Sequence, residues 1–430
     1  MPEGSSTRFD TILILGGNVN ISEGVNADNN AGADNLIIAN DATDAKVTIG
    51  GGTYSNINLG QFKLKDVIAS GVRVISYDNP TDPTAEKTAK ALLYSDIAEK
   101  NNFDSENQTV SYYLFTKCEH KNEDGSYAFN DGVCKYCNSE SAASVSYTVD
   151  GSAKTELFGD IYDAFDKANE IGTATVTLQK NITDDITDTI AVTGNVTLEL
   201  NGKRLSQPGI DVWYSIEVTS GKLTVNGSGL IKRVAVRNSG DAEINGGTFS
   251  DFIIKDGGNA VIKGGQFYSL QVSGEGRNVR QLLADGYAYW SFIDSGIWST
   301  IAEREKQDIA NVEVKEAPIK SASIAWYGGG TPVIYRNGAK NLDVNVTYEL
   351  ADASKQITYS DYVNGNNHSK DSEFSDNWYT LFGYKIGEIV AEDGEVEYYT
   401  VLKCNGYEYK SNVLKLTLAT CSHPEDSFTE

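Results

Sequence analysis

Short runs of alternating apolar and polar residues recur through the middle of the chain. Four of them, VTLEL, KLTV, AEI and AVI, are each followed by a polar residue and a glycine, at 201–202, 226–227, 245–246 and 263–264. The intervals of 25, 19 and 18 residues match the length of one solenoid coil, and such periods are typical of stacked coils. The pattern predicts a right-handed parallel β-helix over residues 143–305.

The alternation also predicts the core of this β-helix. Successive residues of a strand point to opposite faces, so four aliphatic residues point inward and Phe249 lies below Phe267. The four are Leu200, Val225, Ile244 and Ile262, with Ile244 below Ile262. The glycines are predicted to supply positive φ angles at the corners between strands.

A helix is predicted before the first coil. In FGDIYDAFDKANEIG, residues 158–172, apolar residues follow helical spacing at Phe158, Ile161, Tyr162, Phe165 and Ala168. An amphipathic helix here would cover the open end of the solenoid, whose strand edges are otherwise exposed.

A longer repeat relates the first 78 residues to this β-helix. Residues 47–74 resemble residues 260–289, and the Gly-Gly-Thr-Tyr sequence at 51–54 lies 213 residues before the Gly-Gly-Gln-Phe sequence at 264–267. We therefore predict that residues 1–78 are the closing coils of an earlier β-helix that begins outside this sequence, as in a tandem array.

After residue 312 the alternating runs are typical of antiparallel strands. Residues 395–419 contain two such runs around Asn405-Gly406, a hairpin signal, and Asn337-Gly338 marks another turn. We predict an immunoglobulin-like β-sandwich over residues 312–420. Tyr398 stands where strand F of that fold carries its tyrosine, and Thr400 replaces the disulfide cysteine. Cys404 is then predicted to be a free thiol.

Composition narrows the range of partners. A chain of 430 residues with 41 glycines, 24 tyrosines and a single methionine is typical of a strand-rich protein of several domains. Its formal charge of −24, without a lysine and arginine cluster, opposes binding to nucleic acid or anionic membranes. No apolar run approaches the roughly 20 residues that span a bilayer. Nucleic acid and membrane surfaces are therefore expected to be poor partners, and the tandem repeat makes neighbouring repeats of the same chain expected ones.

A CxH…CxxC pattern lies between the two predicted β-helices, at Cys118, His120, Cys134 and Cys137. Two short-spaced pairs on tight turns offer three thiolates and one imidazole to a tetrahedral Zn²⁺. Residues 79–142 are therefore predicted to be a linker with a zinc-knuckle-like module holding structural zinc. The alternative is a Cys134–Cys137 or Cys118–Cys134 disulfide, with His120 solvated. Residues 421–430, which contain a second CxH pair, are predicted to begin a further module of this kind.

Two acidic segments are weaker candidates. Residues 26–35 offer oxygen ligands for calcium, but without ordered spacing, so solvated turns are favoured.

A calcium-dependent polysaccharide lyase would use clustered carboxylates and a basic residue. The available residues are Asp184, Asp185, Asp188, Arg204, Arg233 and Arg237. No basic residue shares a coil with the three aspartates and no histidine lies in the β-helix, so a lyase or hydrolase is the alternative and a non-enzymatic protein is favoured.

Aromatic residues are the candidate ligand contacts, because rigid amphipathic rings anchor sugars and protein partners. The candidates are Tyr287, Tyr289, Trp290, Trp298, Trp326, Tyr327 and Trp378. The structural alternative is that residues 286–292 close the solenoid and pack on the sandwich, while Trp378 fills the sandwich core.

Several segments together resemble a known group of proteins. Residues 174–206, INGGTF at 244–249, QLLADGYAYW at 281–290 and the CxH…CxxC pattern are similar to the repetitive cell-surface proteins of gut Firmicutes, which join pectate-lyase-like β-helices and immunoglobulin-like modules into long stalks. The resemblance covers most of the chain. It implies secretion, cell-wall attachment and adhesion to a host glycan or immunoglobulin. A purely mechanical spacer, holding an adhesive domain away from the wall, is a further hypothesis.

Overall fold

The chain is all-β, with a parallel β-solenoid as its main architecture. The structure, a computed structural model, describes residues 8–22, 32–78, 89–103, 110–183, 188–206, 214–293, 305–335, 341–352, 355–367, 372–373, 378–382, 386, 389–404 and 407–420. Two compact units are distinguished, Met1–Lys167 with Val176–Asn181 and Ala168–Thr175 with Ile182–Glu430.

The first unit begins with short strands and ends near the longest helix. Its elements in chain order are β1 (Arg8–Ile14), β2 (Asn18–Ile21), β3 (Gly32–Ile38), β4 (Lys46–Ile49), β5 (Gly52–Asn58), α1 (Leu64–Val67), β6 (Val72–Asp78), β7 (Ala89–Ala91), α2 (Tyr94–Ile97), β8 (Asn102–Phe103), β9 (Val110–Lys117), β10 (Phe129–Asn130), β11 (Val133–Cys134), β12 (Ala143–Val149) and β13 (Ser152–Phe158). Helix α3 (Ile161–Ile171), predicted from apolar spacing, and strand β14 (Thr173–Leu178) contain residues of both units. No helix in the described part of the chain is both long and apolar enough to cross a membrane.

Parallel coils form the first part of this unit. Strands β1, β3 and β5 pair in parallel, and β2 pairs in parallel with β4. The sheet does not end at residue 78, however. Strand β9, from the predicted linker, pairs antiparallel with both β5 and β6, so the predicted boundary at residue 78 lies inside one sheet.

The second unit continues with a solenoid and two further sheets. Its elements are β15 (Ile190–Val192), β16 (Asn195–Glu199), β17 (Arg204–Leu205), β18 (Ile216–Val218), β19 (Lys222–Asn226), β20 (Leu230–Val236), β21 (Asp241–Ile244), β22 (Thr248–Ile254), β23 (Asn259–Ile262), β24 (Gln266–Val272), a 3-10 turn (Val279–Leu282), β25 (Tyr287–Ser291), β26 (Asp308–Glu316), β27 (Ile319–Trp326), β28 (Val333–Tyr335), β29 (Asn341–Leu350), β30 (Thr358–Val363), β31 (Asn366–Asn367), β32 (Ser372–Glu373), β33 (Trp378–Phe382), β34 (Gly394–Cys404), β35 (Tyr407–Lys410) and β36 (Leu414–Ala419).

The predicted core of the solenoid is confirmed. Strands β16, β19, β21 and β23 stack in parallel, as do β15, β18, β20, β22 and β24. All four predicted aliphatic residues are fully buried. Ile244 pairs with Ile262, and the rings of Phe249 and Phe267 stack with centroids 5.1 Å apart.

The repeated Gly-Gly pairs do more than turn corners. Of the predicted corner glycines, Gly202 and Gly227 have positive φ angles of 72° and 77°. At the Gly-Gly pairs the positive φ lies one residue later than predicted, at Gly247 and Gly265, with 93° and 102°. A Cβ on Gly264, however, would lie 2.5 Å from the Asn245 carbonyl oxygen of the coil below. The first glycine of each pair is therefore required by the close approach of neighbouring coils, and the second by its φ angle.

Both solenoids end in the same way. Strand β9 pairs antiparallel with β5 and β6, and β26 pairs antiparallel with β24 and β25. The residue after each closing strand, Cys118 or Ala317, donates its backbone N–H to a glycine carbonyl, Gly71 or Gly286, at 2.7 Å. This shared ending, which we call the cap, explains the long-range sequence repeat.

Two sheets that share one core follow the second cap. Strands β27, β29 and β33 form one sheet, and β28, β36, β34 and β30 belong to the other. Trp326 from the first packs on Tyr398 from the second, with ring centroids 5.4 Å apart. The predicted β34–β35 hairpin is present, with Cys404 opposite Tyr407. The turn residues 405–406 and 337–338 lie outside the described residues.

Candidate metal centre

The four predicted ligands of the CxH…CxxC pattern meet at one point of the first unit. Their ligand atoms all lie within 4.8 Å of one another. The Sγ atoms of Cys118 and Cys134 are 3.7 Å apart, and Cys137 Sγ lies 3.4 Å from His120 Nδ1. A tetrahedron with Zn–S bonds of about 2.3 Å has S–S edges of about 3.8 Å. The arrangement therefore fits a four-coordinate metal ion.

Tight turns bring the two ligand pairs together. Cys118 directly follows the closing strand β9, and His120 has a φ of 60° with its N–H directed at Cys118 Sγ, 3.4 Å away. The second pair begins at the end of the β10–β11 hairpin, whose turn contains Asp131 and Gly132 with φ angles of 50° and 87°. Positive φ at both positions is the requirement of a type I′ turn.

The imidazole of His120 is held between an aromatic ring and a glycine. Phe129 stacks on it with ring centroids 5.6 Å apart. On Gly159, between β13 and α3, a Cβ would lie 2.6 Å from His120 Cδ2. Sequence inspection missed Gly159, because nothing in a Phe-Gly-Asp sequence before a helix signals contact with a residue 39 positions earlier.

A polar cluster ties this module to the start of α3. The Tyr127 hydroxyl donates to Asp163 Oδ2, and the Lys121 ammonium lies 3.0 Å from the same carboxylate oxygen. Lys121 also lies over the Tyr127 ring. Hydrogen bonding to Tyr127, with a contribution from Lys121, holds the pKa of Asp163 below its usual value despite partial burial. The cluster holds the segment that leads from the first ligand pair to the second.

The module has almost no apolar core of its own. Its buried cluster consists of Ala128 and the three cysteines, with Phe129 and Tyr136 packed against it. A segment with so small a core depends on a cross-link or a metal for stability. All four cysteines among the described residues, including Cys404 in the other unit, are free thiols.

Hydrogen bonds within the cluster shift the pKa values of Cys118, His120 and Cys137. Burial lowers the pKa of His120, but hydrogen bonds to Cys134 and Cys137 and the charges of both raise it to about 9. Hydrogen bonds with Cys118, Cys134 and His120 hold the pKa of Cys137 well below its usual value. The pKa of Cys118 is raised by its hydrogen bonds with Cys134 and Cys137 and by burial. Because a metal binds thiolates and neutral imidazole, loading this site releases protons.

The site offers the number of protein ligands that closed, structural metal centres have. It supplies four protein ligands, whereas catalytic zinc sites keep one position for water or substrate. It is also the sole group of three or more close His, Cys, Asp or Glu side chains found in the described residues.

The predicted ligand-contact aromatics are distributed differently. Tyr289 is buried, with its hydroxyl donating to the Val279 carbonyl at 2.8 Å, and Trp326 is buried with its Nε1 donating to Lys415. Neither is available to a ligand, because both fill the interior of the second unit. Trp290 packs against the core that the cap shares with the two sheets, in agreement with the structural alternative.

The other predicted aromatics are accessible or lie outside the described residues. Tyr327 is 74% exposed, and Tyr287 is half-buried. Trp298, and the side chain of Trp378, lie outside the described residues, as do the predicted module at 421–430 and most of the acidic loop at 26–35.

Two of the three basic residues considered for lyase chemistry, Arg233 and Arg237, are engaged in ion pairs. Arg233 Nε lies 3.2 Å from Asp251 Oδ2, and Arg237 pairs with Glu217. Both pairs join neighbouring strands of the solenoid. Asp184 and Asp185 lie outside the described residues.

Comparisons of the chain with known proteins found no matching family model, no matching curated protein and no matching solved structure.

Proposed function

We propose that the chain is part of a secreted, non-enzymatic bacterial cell-surface protein of the adhesin type. In this proposal it binds a host extracellular ligand, a glycan or an immunoglobulin, or it spaces an adhesive domain from the cell wall. The observation that carries the proposal is the shared cap: each solenoid ends in the same closing strand and is followed by a different module. This order is expected of a string in which solenoids supply length and the modules supply joints or binding surfaces.

The module after the second cap is proposed to be immunoglobulin-like. Support comes from its two sheets, from the parallel pairing of β28 with β36, and from the buried Tyr398 of β34. The Tyr398 hydroxyl donates to Asp361 Oδ1 at 2.6 Å, so its partner is a side chain instead of the backbone group of a tyrosine corner. Loops and edges of such a sandwich are common binding surfaces.

The metal centre is proposed to hold structural zinc. Elemental analysis of the purified full chain should give about one equivalent of zinc, the stoichiometry of one four-ligand site. Cys118→Ser and Cys137→Ser should lose it. Cys404→Ser removes an equally buried thiol outside the centre and should retain it. Less than about half an equivalent in the unmutated chain would count against the site.

Binding and spacer roles are separated by two assays on the same chain. A glycan array and a pull-down of secretory immunoglobulin should detect a ligand if the chain is a binder. A spacer would bind neither.

The enzyme alternative, a polysaccharide lyase or hydrolase acting through the solenoid, has its own test. The ion-paired state of Arg233 and Arg237 speaks against their use as bases. Incubation with pectin or alginate and Ca²⁺ should release no unsaturated uronates. Clear turnover would overturn the non-enzymatic proposal.

A further inference from the structure

A groove lies between the second cap and the module that follows it, wholly inside the second unit. Its volume is about 340 Å³, at the lower end of the range for small-molecule sites. One wall is the turn after the 3-10 segment, and the other is formed by β27 and β35. Its lining includes Arg280, Asp285, Tyr287, Lys320, Tyr409 and Lys410.

The charge of the groove is opposite to that of the chain. Three cationic side chains, Arg280, Lys320 and Lys410, line it beside one carboxylate, Asp285, whereas the whole chain carries a formal charge of −24. Arg280 is exposed and makes no ion pair among the described residues. Lys320 lies 3.8 Å from the exposed Glu316, a separation at which a surface pair contributes little. Arg280 and Lys320 therefore remain available to an anionic ligand, whereas the Lys410 ammonium lies over the Tyr399 ring, 3.9 Å from its centroid.

The first cap provides an internal comparison. The repeat places Lys65 where the second cap has Arg280, Ser70 where it has Asp285, and Val72 where it has Tyr287. Lys65 is occupied by an ion pair with Glu99. The acidic group Asp285 and the aromatic group Tyr287 are thus additions to a cap that closes a solenoid without them. The cation is common to both caps, but in the first cap it is engaged by Glu99.

The remaining lining groups suit a sugar. Tyr287 and Tyr409 are half-buried, so each presents part of an amphipathic ring with limited entropy loss on binding. Asp285 supplies a carboxylate that accepts hydrogen bonds from hydroxyl groups, and Arg280 supplies a planar donor for a carboxylate. Donors and acceptors for hydroxyls together with excess positive charge match an acidic saccharide better than a neutral one.

We propose that this groove binds a carboxylate-bearing saccharide, as a terminal unit or a disaccharide. The inference rests on the proposed function, of which it specifies the ligand class and the site. Binding is expected to weaken with added salt, because it includes ion pairing at an exposed site.

The test compares matched saccharides on the purified full chain. Calorimetric or NMR titration with 3′-sialyllactose should show binding about tenfold or more tighter than with lactose, which lacks the carboxylate. Arg280→Gln with Lys320→Gln should weaken sialyllactose binding about tenfold. Lys315→Gln, an exposed lysine paired with Glu313 on β26, should leave it unchanged.

Other results would overturn the assignment in distinguishable ways. Equal binding of the two saccharides, or wild-type binding by the double variant, would refute the groove and leave a glycan-binding function standing. Competition by tetraglutamate as strong as by sialyllactose would make the ligand an acidic peptide. If the chain bound no saccharide and no immunoglobulin, the groove assignment would fail together with the binding function, and only the spacer role would be left.

Discussion

Gly159 and His120 are in such close contact that no side chain fits between them. A Cβ at residue 159 would lie 2.6 Å from Cδ2 and 2.8 Å from Cβ and Cγ of His120. Because His120 also stacks on Phe129, its ring cannot retreat without losing that contact. The glycine before α3 therefore sets the orientation of the imidazole in the metal centre.

Gly159→Ala is predicted to impair metal binding without removing a ligand. The added methyl group displaces the imidazole. Substitutions of residues that hold a metal ligand in position typically reduce metal affinity by about 10- to 100-fold. Zinc affinity, measured by competition with a chromogenic chelator, should fall by that factor.

A glycine substitution nearby separates this effect from general destabilisation. Gly151→Ala strains a backbone with a φ of 79° but meets no atom within 4 Å. It should leave the zinc affinity unchanged. Equal losses in both variants would contradict the orienting role of Gly159.

The hydroxyl of Tyr127 is predicted to stabilise the module without contributing to the metal. Tyr127→Phe removes the hydrogen bond to Asp163, and bonds to charged groups contribute about 1.5–3 kcal/mol. Thermal unfolding of the zinc-loaded chain should show this loss in the transition of the first unit, with zinc content unchanged. Tyr136→Phe, whose hydroxyl makes a longer 3.3 Å bond to Asn122, should cost less. A loss of zinc in Tyr127→Phe would refute the division of roles.

The stacked phenylalanines are predicted to dominate the stability of the second solenoid. Phe267 is fully buried against Phe249 and Phe252, so Phe267→Ala should lower the free energy of unfolding by about 3–5 kcal/mol. The adjacent Tyr268 is 50% exposed, and Tyr268→Ala should cost much less. Urea unfolding monitored by hydrogen exchange in β22 and β24 measures both. Similar losses would show that the coils do not rely on this core.

The parts of the fold that follow from a repeated sequence pattern are predictable from the sequence. The parts that depend on pairing between strands distant in the sequence are not. Alternation identified Ile244 and Ile262 as stacked core residues because each coil repeats the pattern of the last. No repeated sequence pattern connects β5 with β9, although Tyr54 of β5 pairs with Tyr113 of β9. The sequence therefore places the closing strand β9 in a linker.

The same distinction applies to the sites. The ligands Cys118 and Cys137 were predictable because each lies in a short-spaced pair whose chemistry is local. Gly159 and the groove were not, because their roles arise from chain segments brought together by folding. Tyr289 and Trp326 illustrate the opposite case. The sequence makes them candidate ligand contacts, but both side chains are buried in the interior of the second unit.

Glu243 is predicted to make the second solenoid sensitive to acid. Its carboxylate pairs with Lys222 and with Lys263 on neighbouring coils, and hydrogen bonds from the two lysines lower its pKa from 4.5 to about 2. The folded-state pKa is below the unfolded value, so the stabilisation is present above pH 4.5 and is lost as the pH falls towards 2.

Glu243→Gln should therefore lower the free energy of unfolding at pH 7 by about 0.5–1 kcal/mol, as for a partly exposed ion pair. The difference from the unmutated chain should shrink below pH 4.5 and should also shrink at 1 M salt, where the Debye length is about 3 Å. Glu275→Gln replaces an exposed glutamate that makes no ion pair among the described residues and should show no such pH dependence. Urea unfolding at pH 7, 5 and 3 measures both variants, and a Glu243→Gln effect as large at pH 3 as at pH 7 would place its origin in packing instead of charge.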